Sequence, residues 1–229
     1  MTILEKIKYL KSIPFLSELT DKELKEILKR SSNVSFKKGD KIFEEGSYGE
    51  EVYLLIKGKI KITINDKKGR VKILGILKEG DFLGEMAILD TEYRSATATV
   101  YEDCEAIMLT SKNFLDFVRT DSEIALKIMK TLTKRLREAN EEIKSFTFYD
   151  LAGRLAIILI SLYKKFYAEK DGEHYINLKI SHYELAGMLG TARESVTKLI
   201  SNFKKNEAID YKRGYIYIKN MENLKSWVR

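Results

Sequence analysis

The residues of this 229-residue chain that could do chemistry fall into two short stretches. The first runs Gly80-Asp81-Phe82-Leu83-Gly84-Glu85-Met86-Ala87-Ile88-Leu89 and continues Asp90-Thr91-Glu92-Tyr93-Arg94-Ser95-Ala96-Thr97. It interrupts an alternating, strand-like pattern. Residues 85–89 read as a single helical turn with Gly84 just ahead of it, and such a turn offers free backbone N–H groups and the positive end of a helix dipole to an anion. Arg94 can return alongside and supply a guanidinium for bidentate binding of phosphate oxygens, while Glu85 offers a carboxylate that accepts from sugar hydroxyls. Taken one at a time, Glu85 and Arg94 are as well described as an ordinary surface ion pair.

The second stretch is Ser181-His182-Tyr183-Glu184 followed by Thr191-Ala192-Arg193-Glu194, two S/T-x-x-E capping boxes ten residues apart with Gly190 between them. Leu185, Ala186, Leu189, Val196 and Leu199 supply an inward face, and a helix-turn-helix is the expectation. A recognition helix over 193–205 would enter a DNA major groove by its N-terminal end. Arg193 and Lys198 then suit guanine O6 and N7, and Glu194 can accept from cytosine N4. Thr197, with Lys204 and Lys205, suits phosphate or solvent, and the helix-start hydroxyls Ser181 and Thr191 join the DNA-facing candidates. Alternating runs at 175–180, 209–211 and 215–218, the last two joined at Lys212-Arg213-Gly214, predict a wing with two cations at its tip.

These stretches need elements to position them. From Val34 to Leu109 short alternating runs are separated by glycines, which indicates a closed or double-sheet antiparallel β domain of the jelly-roll kind, with a hairpin turn at Lys67-Lys68-Gly69. Residues 4–12 and 20–31 read as short helices, the second opened by Thr20 and Glu23 at capping-box spacing. A short helix starts near Thr110. Ser122 to Tyr149 contains no Gly or Pro, and Ala125, Met129, Leu132, Leu136, Ala139, Ile143 and Phe146 step by four and three, the seam of a coiled coil. Asp150 can cap a further helix through Lys165, and residues 168–174 read as a polar loop.

Charge separates the two ends. Residues 151–229 carry 14 Lys/Arg against 8 Asp/Glu, a net +6 out of +7 for the whole chain. A basic excess in one small domain favours a polyanionic partner. One cysteine, Cys104, cannot build a disulfide framework or hold an iron–sulfur cluster, and two histidines are too few for a typical zinc centre. No apolar run approaches the ~20 residues of a membrane span, so a cytoplasmic protein without membrane attachment is expected. No Walker loop, H-E-x-x-H or nucleophile elbow is present, so an enzyme is not expected.

The run Phe82-Leu83-Gly84-Glu85-Met86-Ala87 through Arg94-Ser95-Ala96 resembles the phosphate-binding cassette of cyclic-nucleotide-binding domains. A β-roll, a long dimer helix and a basic C-terminal domain together resemble the bacterial CRP/FNR transcription regulators. The resemblance implies an α+β protein in three segments. Residues 1–121 would form an antiparallel β-roll sensor (double-stranded jelly-roll), 122–149 a dimerisation helix and hinge, and 150–229 a winged helix-turn-helix. It further implies that Gly84 and Glu85, with Met86 and Ala87 in the same turn, bind phosphate and ribose, that Arg94 holds the cyclic phosphate, and that Ser95 meets a phosphate oxygen. The long helix would roof the pocket, with Ala139 and Asn140 where a cyclic-AMP receptor has Thr and Ser, and with Arg135 as a second candidate. Asn140 can pair with a base edge; Ala139 cannot hydrogen-bond, which leaves another small ligand, or none, as an alternative to cAMP. The implied effector is a cyclic nucleotide, with no obligatory cofactor or metal. The implied partners are a second copy of the chain, double-stranded DNA with a palindromic site, and RNA polymerase. A nucleotide-binding regulatory subunit acting on a protein partner is the competing reading.

Overall fold

Alternation and glycine turns build the first half of the chain. The computed structural model describes residues 7, 8, 10, 11, 17, 19–91 and 93–228. Of the helix expected over 4–12, only Ile7, Lys8, Leu10 and Lys11 are described, all helical. Helix α1 (Asp21–Lys29) opens on the capping box, with Thr20 accepting from the Glu23 N–H and the Glu23 carboxylate accepting from the Thr20 N–H. Six antiparallel strands follow: β1 (Ser32–Phe36), β2 (Lys41–Phe43), β3 (Glu51–Asn65), β4 (Val71–Lys78), β5 (Phe82–Leu83) and β6 (Thr97–Thr110). The two long strands, β3 and β6, lie side by side and carry all the others: β1 and β2 on β6, β4 and β5 on β3. Their pairing shifts register repeatedly between Leu55 and Ile60. Gly58, at φ +92°, sits in that irregularity, where a Cβ would come within 2.7 Å of the Cys104 Cβ. Asp66 accepts from the N–H groups of Lys68 and Arg70 at 2.9 Å each and closes the hairpin at Lys67-Lys68-Gly69.

Two helices close this half. Helix α2 (Ser111–Thr120) is capped by Thr110, and α3 (Ser122–Phe148) runs unbroken for 27 residues. On its first turns Ile124 and Ile128 are buried in a core with Leu24, Ile27, Val52, Leu54, Phe82, Ile107 and Phe114, and Leu132 packs against it. The seam residues Met129, Leu136, Ile143 and Phe146 are exposed in the single chain.

The chain forms two compact units, residues 1–134 and 135–229, whose division falls inside α3. In the second unit Asp150 caps α4 (Leu151–Lys165) by accepting from the Gly153 N–H at 2.7 Å, and Leu155, Ala156 and Leu159 of α4 are buried. The polar stretch expected as a loop over 168–174 is instead a hairpin of β7 (Tyr167–Lys170) and β8 (Glu173–Ile176), turning at Asp171 and Gly172, both at positive φ. The charged side chains of this exposed edge hid its alternation. The Tyr167 ring stacks on His174 at 5.9 Å. The strand expected through Ile180 stops at Ile176. Helix α5 (His182–Leu189), α6 (Arg193–Lys205), β9 (Ile209–Lys212), β10 (Tyr215–Ile218) and α7 (Met221–Lys225) complete a four-stranded sheet of order β7-β8-β10-β9 with the paired helices against it.

Candidate functional site

The cradle of the first unit is built around Arg94, which is 4% exposed. Its backbone is fixed by the Arg94 N–H donating to Ser47 O and by the Gly46 N–H donating to Arg94 O, both at 2.8 Å. The side chain then runs inward past Gly49, where a Cβ would overlap Nε and Cζ and lie 2.8 Å from Cδ. Only glycine leaves this passage open. The guanidinium stacks over Phe43 at 4.3 Å, and Nη1 donates to the carbonyls of Glu51 (2.9 Å) and Gly84 (3.0 Å). Nη2 donates to Glu51 Oε2 at 3.1 Å, while Nε is buried without a hydrogen-bond partner. Burial lowers the Arg94 pKa from its ordinary value, opposed by the nearby charges of Glu51 and Glu85.

The turn beside it is longer than the expected 85–89. Residues 85 and 86 are α-helical and Ala87–Thr91 widens into a π-helix, a winding often found where a helix serves a site. Gly84 precedes it at φ +91°, with a virtual Cβ 2.6 Å from the Glu51 carbonyl. Glu85 and Ala87 are buried, Met86 and Ser95 are exposed, and the Ser95 hydroxyl donates to Met86 Sδ at 3.4 Å. The structure thus brings Gly84 and Arg94 into contact and Met86 to Ser95. It overturns the reading of Glu85 and Arg94 as a surface ion pair, since both are buried, and it pairs Arg94 with Glu51. Sequence reasoning missed Glu51, because the Glu50-Glu51 doublet carries no mark of which carboxylate turns inward. Arg135 is half-buried and Asn140 exposed on α3, in the second unit.

The second unit presents α6. Val196, Ile200 and Phe203 bury one face, leaving Arg193, Glu194, Thr197 and Lys198 exposed together on the other, as the i, i+1, i+4, i+5 spacing requires. Ser181 caps α5 by the expected box: its hydroxyl accepts from the Glu184 N–H at 3.2 Å. The second expected box does not form. Helix α6 begins after Ala192, whose methyl offers no acceptor for a cap, and the Thr191 N–H that a box would pair with Glu194 goes with that of Gly190 to Ala186 O, closing α5 through Gly190 at φ +70°.

Two further placements refine the DNA candidates. The one hydroxyl hydrogen of Thr197 goes to Arg193 O at 3.0 Å, so Thr197 accepts from His182 Nδ1 at 2.9 Å. His182 is therefore the Nδ1–H tautomer, with Nε2 buried and unpartnered and its ring 4.7 Å from that of Tyr211. Burial, reinforced by the charge of Arg193, lowers its pKa. At the wing, Arg213 and Gly214 form a two-residue turn with both φ values positive, matching the twist of a tight hairpin. Arg213 is exposed at the tip, whereas Lys212 turns back to Asp210 at 3.1 Å and over Tyr217 at 5.3 Å. Burial would raise the Asp210 pKa, but hydrogen bonds from Lys204 and Lys212 overcome it and hold the carboxyl at about 2. Cys104 is buried and its thiol pushed up to about 11 by desolvation, an inert structural thiol. Among the described residues no group of His, Cys, Asp and Glu could hold a metal, and no helix is long and apolar enough to cross a membrane.

A β domain with a buried guanidinium cradle, a long helix and a winged helix-turn-helix are together the parts of a transcription regulator. Residues 33–121 match the model of the cyclic nucleotide-binding domain and residues 153–227 that of the Crp-like helix-turn-helix domain. The CRP-like cAMP-activated global transcriptional regulator of Mycobacterium tuberculosis is 28% identical over 198 residues, covering 86% of this chain and 88% of its own. The cyclic AMP receptor protein of Thermus thermophilus is 29% identical over 191 residues, covering 83% and 85%. A solved CRP/FNR-family regulator of Thermus thermophilus superposes with TM-score 0.72 at 28% identity, over 86% of this chain and 98% of that one. The c-di-GMP responsive global regulator of Xanthomonas campestris shares the fold, with TM-score 0.75 at 20% identity over 88% and 100%. The chain belongs to the CRP/FNR family of transcription regulators: a DNA-binding regulator that carries a cyclic nucleotide-binding domain.

Proposed function

We propose that this regulator is a homodimer that binds a cyclic nucleotide, cAMP first among them, and converts that binding into sequence-specific recognition of a palindromic DNA site. The observation that carries the ligand reading is the buried Arg94 guanidinium beside the Gly84–Ala87 turn. In it Arg94, Ser95 and the leading N–H groups of the turn hold the cyclic phosphate, and Glu85 accepts from the ribose. The names of the Mycobacterium and Thermus relatives support cAMP. Ala139, with no hydrogen-bonding group for a base, favours a second reading in which the ligand is another nucleotide.

The exposed seam of α3, with Leu136 at 62% and Ile143 at 65%, supports pairing through 122–149. Arg193, Glu194 and Lys198 of α6 then read bases, Arg213 meets phosphate, and two α6 helices lie about 34 Å apart on one face of the duplex. Arg154 links the two ends of the unit: its guanidinium lies 3.9 Å over the Phe146 ring on α3 and Nη2 donates to Leu189 O, at the end of α5, at 2.5 Å. RNA polymerase is the partner that a bound activator of this family would meet.

Titration calorimetry with cAMP, cGMP and cyclic dinucleotides, followed by DNA mobility shifts with and without the binding nucleotide, tests the reading. Arg94→Ala is expected to abolish the ligand dependence of specific DNA binding and to leave the salt-dependent, non-specific binding intact. An unchanged ligand response in that variant removes Arg94 from the ligand site.

A further inference from the structure

We propose that Glu51 is a resident counter-anion of the Arg94 cradle and sets its charge preference, so that the site admits a singly charged cyclic phosphodiester and turns away a doubly charged phosphomonoester. This rests on the cradle being a cyclic-nucleotide site and adds to it the residue that discriminates among nucleotides.

The argument begins with what already holds the guanidinium. Nη1 is fixed by two backbone carbonyls, those of Glu51 and Gly84, and the carbon of the group by the Phe43 ring. Those contacts suffice to aim the side chain. The Glu51 carboxylate adds a charge on top of them, at 3.1 Å from Nη2, and its side chain is 40% exposed while the side chain of Arg94 is 2% exposed. The carboxylate therefore brings a solvent-reaching charge to a group that is itself buried. Glu85, itself buried, acts on the same guanidinium by its charge. The cation thus has a carboxylate paired with it, and a second acting on it by charge, before any ligand arrives.

An incoming phosphate finds donors in Arg94, whose Nε–H is unpartnered, and in the neutral N–H groups of the turn, and it meets the guanidinium beside the Glu51 carboxylate, which it must approach or displace. Neutral N–H donors serve a mono- and a dianion alike in kind, but repulsion from Glu51 grows with ligand charge. A cyclic phosphodiester carries one negative charge. A 5′-phosphomonoester carries about −1.5 to −2 at neutral pH. Glu51 thus adds a discrimination by phosphate charge to whatever the ring closure of the cyclic ester provides.

The experiment compares cAMP with 5′-AMP by calorimetry on the full chain at fixed ionic strength, in the wild type, in Glu51→Gln and in Glu50→Gln. Glu50 is the neighbouring exposed carboxylate and controls for general surface charge. The wild type is expected to prefer cAMP. Glu51→Gln is expected to narrow that preference by at least about tenfold, 1.4 kcal/mol, chiefly by gaining affinity for 5′-AMP, while Glu50→Gln leaves the ratio unchanged. The proposal is overturned if the ratio in Glu51→Gln equals that of the wild type, or if the variant, folded by its melting curve, loses affinity for both nucleotides equally and so marks Glu51 as a ligand contact. Failure of the folded wild type to bind any cyclic nucleotide refutes the underlying ligand reading instead, and the proposal with it.

Discussion

Gly49→Ala is a one-carbon perturbation whose effect can be worked from the cradle's geometry. The new methyl would overlap Arg94 Nε and Cζ, and Cδ would lie 2.8 Å away, so the guanidinium must leave its place. It cannot slide, because Phe43 stacks on it at 4.3 Å and the carbonyls of Glu51 and Gly84 hold Nη1. Leaving forfeits two hydrogen bonds from a charged donor and one ion pair. Each such bond is worth about 1.5–3 kcal/mol, and part is recovered when the displaced group reaches water, so a net loss of about 2–4 kcal/mol is expected. For a unit of this size that corresponds to a fall in Tm of roughly 5–15 °C. Gly75→Ala is the matched control: nothing lies within 4 Å of its virtual Cβ and its φ is not left-handed. It should shift stability by less than about 1 kcal/mol, with a gain as possible as a loss through the unfolded chain. Differential scanning calorimetry reads the stability, and nucleotide titration of the folded fraction reads the site, where Gly49→Ala should show no binding. A Gly49→Ala protein that melts with the wild type and binds cAMP as tightly would refute the account of how Arg94 is seated.

Three other outcomes follow from the same geometry. Placing Glu at Leu136 and Ile143, both exposed on the seam, should convert the proposed dimer to monomer in sedimentation runs and abolish tight binding to a palindrome; an unchanged sedimentation coefficient excludes the α3 seam as the interface. Arg213→Asn relieves a non-glycine residue at φ +53° and should stabilise by roughly 0.5–1 kcal/mol, yet weaken DNA binding on all sequences and lower its salt slope by about one. His182 has its pKa lowered in the fold, so the unfolded chain binds more protons between the lowered value and 6.5. Its contribution to stability is full above 6.5 and is lost as pH falls toward the folded value, and urea melts of His182→Asn, which keeps a donor for Thr197, should show a flatter pH slope.

What could be read from sequence was whatever depends on local spacing. The 27 residues of α3, the capping boxes at Thr20 and Ser181, the Asp150 cap and the α6 bounds all follow from periodicity and from the chemistry of helix ends. The hairpin at 167–176 did not, because an exposed edge strand written in Glu, Lys and Tyr has no apolar alternation to show. Thr191 illustrates a subtler failure: its spacing to Glu194 is that of a capping box, but the N–H that Glu194 would accept from is claimed by the end of the preceding helix, and the N-cap falls on Ala192 instead. Glu51 and His182 lay beyond sequence altogether. Glu51 acts on Arg94 across 43 positions of chain and His182 on Thr197 across 15, each through a contact that only the folded sheet or helix pair creates.

The seated Arg94 also limits how a ligand can signal. On the proposed reading the guanidinium is already held by carbonyls and a carboxylate, so a phosphate that displaces Glu51 exchanges one anion for another and does not assemble the site. Such an exchange of like charge about one cation is close to balanced. Moving a two-state equilibrium from 1:99 to 99:1 needs about 5.5 kcal/mol of differential affinity, and a balanced exchange cannot supply it. The differential must come from parts of the ligand that reach outside the cradle, above all the base. Ribose 3′,5′-cyclic phosphate without a base should therefore bind at the cradle, compete with cAMP in calorimetry and fail to promote specific DNA binding in a mobility shift. Full activation by the base-free compound would mean that displacement of Glu51 is itself the switch, and the energetic argument would fall.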